Sequence, residues 1–416
     1  MNKKNLRQWW CDTCQALFSQ EFGEGKNKLE VGEEKMKNEF TFHSVGHGLF
    51  YSGSLYDGEY NFVYDCGGEK NKINTRLENY KAKNENVDFL VISHLDKDHV
   101  CGVYYLNLEL QKQGKEIKKV YFPYLYDSKK IFLPKSHSDD GFIFKLVIAN
   151  ALSTTSGEYK GEVSEIFKFW VKLLDEEKIT FVEKNLYNNN GNLENQSEEI
   201  PFNEKFPFSK NGQVYWWFEM FGRIKNKKKN KKAPVDIRGI KSEINDKEIE
   251  GCLSNENGYE KIKKIYEKYC SSINASSTVL IHYPENKGCF NENYVDFESK
   301  YVLEDGLLQL TKGNSFDKTA MTILTGDAEF DGDMLSKMKA IMSERADYMK
   351  IFLVPHHGSR KNWDCIGQDK LKFNIYVISF KYGSRCLNHK VLFELIAARK
   401  YIRPVTQDIE YSYDIN

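Results

Sequence analysis

Val87 to Gly102 reads VDFLVISHLDKDHVCG, and its two halves have opposite chemistry. Phe89, Leu90, Val91 and Ile92 form a short, β-branched-rich apolar run, the pattern of a buried strand. His94, Asp96, Asp98 and His99 follow at once. Two imidazoles and two carboxylates at the mouth of an apolar strand leave lone pairs and charges in a partly desolvated place. One or two divalent metal ions would satisfy them together.

Other apolar strands end in the same way. Ala320 to Gly326, AMTILTG, stops at Asp327; Lys350 to Pro355 stops at His356-His357-Gly358-Ser359; Ile375 to Phe380 is followed by a loop carrying Leu387-Asn388-His389. Strands stacked in one sheet with such residues at equivalent ends would gather them into one cleft. Phe40 and Phe42 alternate with Thr41 and His43, Val45 to Phe50 is a Gly-flanked turn, and Asn61 to Asp65 is a strand closed by Asp65-Cys66-Gly67-Gly68. Periodicity predicts helices over Thr75–Asn86, from Val100 onward, and over Gly161–Leu174, Gly258–Tyr269 and Leu392–Ala398. Further strands are expected at Lys118–Tyr124, at Tyr215–Phe218 and, to close the chain, at Tyr401–Val405.

Ser93-His94-Leu95-Asp96-Lys97-Asp98-His99 resembles the first metal motif of the metallo-β-lactamase superfamily, His-x-His-x-Asp-His, with Asp96 in place of the second His. That departure resembles the ComEC-type branch, which contains the hydrolase domain of DNA-uptake competence proteins and stand-alone phosphodiesterases. Asn274 to Ile281 is similar to the Asn-x-x-Ser strand of the same branch. Thr325-Gly326-Asp327, His356-His357-Gly358-Ser359 and Asn388-His389 resemble its later motifs, with Lys390 where the last one ends in Pro. The resemblance implies an α/β fold, the four-layer αββα metallo-β-lactamase sandwich, over residues 38–416. An extension over 1–37 would precede it, and a long mixed insertion would lie at about 133–270.

For a dinuclear site, His94 and Asp96 are assigned to one ion and Asp98 and His99 to the other, with Asp327 bridging. His356 is the preferred ligand of its pair and His357 would touch the leaving group, with the reverse order left open. His389 is the remaining donor or a phosphate contact, and Ser359 and Asn388 would stand behind the ligands. The cofactors are two divalent ions, Zn2+ or Mn2+ with Mg2+ also admitted, since an oxygen-rich shell favours the harder cations. Asp98 would orient a metal-activated hydroxide, and His357 or His389 would protonate the leaving oxygen. The expected activity is phosphodiester hydrolysis of DNA or RNA, in a setting such as defence against foreign DNA. The alternatives are a small phosphodiester (a cyclic nucleotide or phosphocholine-type ester) and an inactive metal-binding partner protein.

Composition bounds these choices. Lys+Arg and Asp+Glu both number 60, so the net charge of zero argues against a protein that coats nucleic acid in bulk. With 25 Tyr and 27 Phe in 416 residues, a large core is available. No apolar run reaches the roughly 18 residues of a membrane span, and MNKKNLRQWWCDTC has no signal-peptide apolar region, so a cytoplasmic, membrane-free protein is expected. Nine scattered cysteines fit reduced thiols, and Cys11 and Cys14 are ordinary thiols or half of a zinc site. Trp9 and Trp10 would cap apolar surface of the main domain or, alternatively, bind a partner. His47, in the Gly-flanked turn, faces substrate or solvent; His137, in a Ser-His-Ser-Asp loop, is a solvated or ligating side chain; His282 is core or surface. The polybasic run Lys225 to Lys232 is a solvated loop or a patch steering a phosphate polymer, and the 133–270 region could dock a protein partner.

Overall fold

The computed structural model describes residues 37–81, 86–123, 137–153, 159–181, 202–222, 237–269, 277–296, 311–316, 318–328, 330, 332–363, 373–381, 387–397 and 401–415. Trp9, Trp10, Cys11, Cys14, Asn274 and the run Lys225 to Lys232 lie outside the described residues. The strands are β1 (Asn38–Phe42), β2 (Phe50–Leu55), β3 (Tyr60–Cys66), β4 (Phe89–Val91), β5 (Val120–Phe122), β6 (Ile179–Phe181), β7 (Phe202–Lys210), β8 (Gln213–Gly222), β9 (Thr278–Pro284), β10 (Phe290–Asp296), β11 (Thr311–Phe316), β12 (Ala320–Leu324), β13 (Met349–Leu353), β14 (Ile375–Ser379), β15 (Tyr401–Val405) and β16 (Ile409–Ile415).

Among the described residues these strands make two mixed sheets in an α/β fold. The first has the order β11-β10-β16-β1-β2-β3-β4-β5-β6 and the second β15-β14-β13-β12-β9-β8-β7. In each, a parallel set (β3 to β6, and β12 to β15) continues an antiparallel one. Alternation along the strands sorts the side chains. Phe62, Tyr64, Phe89 and Val91 join Phe218, Met220, Leu280, Ile351 and Val377 in a core between the sheets. Val63, Leu90, Ile92, Val120 and Phe122 face the other way, against Leu77, Leu106, Ile148, Trp170 and Ile262. Those five come from helices Lys70–Lys81, Val103–Gln111, His137–Ser153, Val163–Asp175 and Glu256–Tyr269. Aromatic rings fill the inter-sheet core: Phe218 meets Phe62 and Phe89 edge-on at 4.9 Å, and Phe62 stacks on Phe89 at 5.2 Å.

The structure differs from the sequence expectations at several points. The strands before His94 and before Asp327 and His356 lie in different sheets, so the candidate ligands meet across the sandwich and not along one sheet edge. Both parallel sets direct their carboxyl ends to the same place, where loops after such strands collect functional groups. The first helix runs over Lys70–Lys81, beginning earlier than Thr75, because Ile73 N–H already bonds to the Glu69 carbonyl at 2.8 Å. His137 opens a helix instead of sitting in a loop, since the apolar stretch Phe142 to Leu152 behind it is buried. Strands β6, β7, β10, β11 and β16 have no counterpart among the expected elements. No described helix is long and apolar enough to cross a membrane.

His282 is fully buried at the centre of the sandwich. The Trp216 Nε1–H donates to its Nδ1 at 3.3 Å, so the ring proton of the neutral imidazole sits on Nε2, 2.7 Å from the Tyr51 hydroxyl. Tyr51 continues to the Tyr413 hydroxyl at 2.8 Å, and Tyr413 to Thr322, which threads polar contacts through an otherwise apolar core. Burial pushes the His282 pKa down to about 3. Below the unfolded value of 6.5 the unfolded chain takes up a proton that the folded core refuses, so this contribution to stability is lost as pH falls from 6.5 toward 3. Denaturant unfolding of the wild type and a His282→Gln variant between pH 7 and 4 should therefore show the wild-type advantage shrinking by up to about 1.4 kcal/mol per pH unit. A constant difference would contradict it.

Candidate metal centre

The site is assembled where three turns touch. The β3–helix turn holds Asp65 with a positive φ of 54° and passes so close to Asp98 that a Cβ on Gly67 would lie 2.2 Å from the Asp98 carbonyl. The turn after β12 comes equally close from the other sheet: Gly326, at φ 50°, would place a Cβ 2.4 Å from Ser93 Oγ. After β13, His356 and His357 are both in the left-handed region, at φ 50° and 53°, and the His356 N–H bonds to the Gly326 carbonyl at 3.0 Å. Two consecutive non-glycine residues in that region store strain of order 1 kcal/mol each, as functional turns do.

The Asp65 carboxylate is completely buried and hydrogen-bonded through both oxygens. Oδ1 accepts the Ser93 N–H at 2.7 Å, and Oδ2 accepts the Ser93 hydroxyl at 2.6 Å and the His99 Nδ1–H at 2.8 Å. The last bond fixes the ring orientation and leaves Nε2, whether it carries a proton or a lone pair, directed inward. There it lies 3.6 Å from Asp327 Oδ1 and 3.9 Å from Asp98 Oδ2. His94 Nε2 lies 3.5 Å from Asp327 Oδ2 and 3.4 Å from Asp96 Oδ2. On the other side His357 donates from Nδ1 to the Ser379 carbonyl at 2.9 Å and turns Nε2 to Asp98 Oδ2 at 3.3 Å. His47 Nε2 approaches the same Asp98 oxygen at 3.5 Å.

Two trios result, His94/His99/Asp327 and His47/Asp98/His357, each with ligand atoms within 4.8 Å of one another. His94 Nε2, His99 Nε2, Asp327 Oδ1 and His47 Nδ1 are buried without a hydrogen-bond partner. Each such atom costs about 1–3 kcal/mol when left unpaired, so a water or a ligand atom placed among them would be stabilising. The electrostatics specify its sign. Burial works against charge on His99, yet the Asp65 and Asp98 carboxylates raise its pKa to about 9. His94 and His357 are raised against burial by Asp327 and by Asp98 respectively. Asp98 is held well below the usual carboxylate range and Asp327 is lowered too, both against burial, by the imidazoles around them. Burial and then the neighbouring His357 lower His47. Carboxylates that draw positive charge this strongly beside imidazole nitrogens could hold a cation of mixed nitrogen and oxygen preference in place of the imidazole protons.

Among the residues singled out from sequence, His94, Asp98, His99 and Asp327 come together. Asp96 stands beside His94, half-exposed. Of the adjacent pair, His357 is buried and directed at Asp98, whereas the His356 side chain is 47% exposed. His356 Nδ1 lies 3.2 Å from Asn362 Oδ1 and 3.6 Å from Asp327 Oδ2. His389 is exposed at the start of helix His389–Ala397 and, among the described residues, is not hydrogen-bonded to the cluster. Asn388 caps that helix, its Oδ1 accepting the Lys390 N–H at 2.9 Å. Three contributors had no role assigned from sequence: Asp65, whose signal is the Asp-x-Gly at a strand end, and the supports Ser379 and Asn362, which carry no signal. Neither a protein-family model nor a curated protein matches this chain.

Replacing Asp65 by Ala would strand the Ser93 N–H in the interior and leave His99 Nδ1 only the Ser93 hydroxyl, at 3.2 Å. The expected loss is about 3–5 kcal/mol in urea unfolding, as for a broken buried ion pair; a loss under 1 kcal/mol would show that the carboxylate is not what holds the loops together.

Proposed function

We propose that this protein is a metal-dependent phosphodiesterase, a nuclease acting on DNA or RNA. On this proposal its sheets and helices are the four-layer αββα sandwich of the metallo-β-lactamase superfamily, in its ComEC-type branch. The observation that carries the proposal is the convergence of His94 Nε2, His99 Nε2 and Asp327 Oδ1 in one buried cluster without partners.

Two divalent cations, Zn2+ or Mn2+ or else Mg2+, would neutralise charge on a phosphodiester and make water a nucleophile near neutral pH. His94, His99 and Asp327 would hold one, and Asp98 with His357 the other. Asp327 presents Oδ1 to His99 and Oδ2 to His94, so its carboxylate faces more than one ligand direction. Asp98, fixed below the normal carboxylate pKa, stays ionised and can accept a hydrogen bond from attacking water. Asn362 donates its amide to the Asp327 and Ala328 carbonyls at 2.9 and 3.2 Å, so its Oδ1 is left to accept the His356 Nδ1–H. That leaves His356 Nε2 to contact the scissile phosphate or the leaving oxygen, a role in which the exposed His356 replaces the buried His357. His389 is the second exposed imidazole for that task.

Lys97, Lys361, Lys381 and Lys390 interrupt or follow the ligand-bearing segments, which favours a polyanion over a small ester. The purified chain should carry about two divalent ions. It should cleave DNA, RNA and bis-p-nitrophenyl phosphate with Mn2+ or Zn2+, and lose at least about a hundredfold in rate, together with metal, in His99→Ala and Asp327→Ala. Cleavage of the polymer should fall steeply with salt while cleavage of the small ester does not. A protein that takes up no divalent ion, or an Asp327→Ala variant with full metal and activity, would sink the proposal; salt-independent turnover of a cyclic nucleotide in preference to polymer would move it to the small-substrate class.

A further inference from the structure

The turn carrying His47 is more tightly built than a surface turn requires. Gly46 and Gly48 have φ of 76° and 149°, and a Cβ on Gly48 would lie 2.6 Å from the Gly67 carbonyl oxygen. The Glu69 N–H bonds to the Val45 carbonyl at 3.0 Å and the Gly67 N–H to the Leu49 carbonyl at 2.9 Å. Two further bonds reach the partners of His47 in its trio. The Leu49 N–H donates to the backbone carbonyl of Asp98 at 3.2 Å. The Ser379 hydroxyl donates to the Gly48 carbonyl at 2.8 Å, and the Ser379 carbonyl in turn holds His357 Nδ1. One hydrogen-bonded frame therefore sets all three side chains of the outer trio. The His47 and His357 rings stand 4.9 Å apart, His47 Nε2 faces Asp98 Oδ2 at 3.5 Å, and the other ring nitrogen, Nδ1, is buried without a hydrogen-bond partner.

We infer that His47 is a metal ligand that completes, with Asp98 and His357, a second divalent-cation position that exchanges more readily than the His94/His99/Asp327 position. This rests on the dinuclear reading above and adds to it a ligand that no motif in the sequence assigns. The difference in exchange follows from exposure. The inner imidazoles of His94 and His99 have side chains 3% and 1% exposed, whereas that of His47 is 38% exposed, so an outer ion meets solvent on the His47 side. The outer position would then respond to the free concentration of cation while the inner one stays filled.

The test is titration of the metal-stripped full chain with Mn2+ alone, following free Mn2+ by its paramagnetic resonance signal. The wild type should bind two equivalents, the second more weakly. His47→Ala should keep the first at wild-type affinity, which also reports an intact fold, and weaken the second by at least about tenfold. His47→Asp, which restores a ligating group, should recover it. Wild-type protein that binds no Mn2+ would overturn the dinuclear reading itself. Two unchanged equivalents in His47→Ala, with or without a raised KM, would overturn only the assignment of His47. Should His47→Ala lose both equivalents, recovery of both by His47→Asp supports the assignment and failure to recover either overturns it.

Discussion

The Asp65 carboxylate is the point on which the centre turns. It joins the end of one parallel strand to the loop after the next, accepting bonds from the Ser93 N–H, the Ser93 hydroxyl and His99 Nδ1. Its neighbour across the sandwich, Gly326, touches the same serine, so Ser93 is where the two sheets are registered against each other. With both fixed, His99 Nε2 can face only Asp327 and Asp98. The orientation of His99 is thus set from behind, by a carboxylate that is not itself part of either candidate trio.

Much of this was legible in the sequence because strand ends announce themselves. An apolar run that breaks into His and Asp is visible without a structure, and four of the residues so marked, His94, Asp98, His99 and Asp327, do meet. The choice between His356 and His357 was not legible: adjacent residues in an unusual left-handed pair point in directions that only the backbone angles decide. His47 lay in a turn whose purpose depends on a contact with Ser379, more than three hundred residues away. The sheet to which each strand belongs was also hidden, since parallel sets in either sheet have the same apolar signature.

β16 escaped notice for a related reason. Glu410, Ser412 and Asp414 give IEYSYDI the look of a polar segment. Yet Asp414 is buried and accepts from Asn291 Nδ2 at 2.8 Å, and Glu410 lies near His43 and Arg76, with its pKa lowered against burial chiefly by a bond to His43. Polar residues on a strand whose partners lie on another strand, in a loop and on a helix are invisible to a periodicity argument and ordinary in a folded sheet.

The place of β16 has a consequence for how the protein is made. It lies between β1 and β10 and pairs Ile415 with Asn38, a separation of 377 positions. During synthesis β1 waits with one edge open until nearly every later element has left the ribosome, and β10 waits beside it. An unpaired edge held open for that long is a template for association with other nascent chains, and closing so large a loop is slow. Yield of soluble protein should therefore be governed by chaperone capacity and translation speed more than by the stability of the finished sandwich.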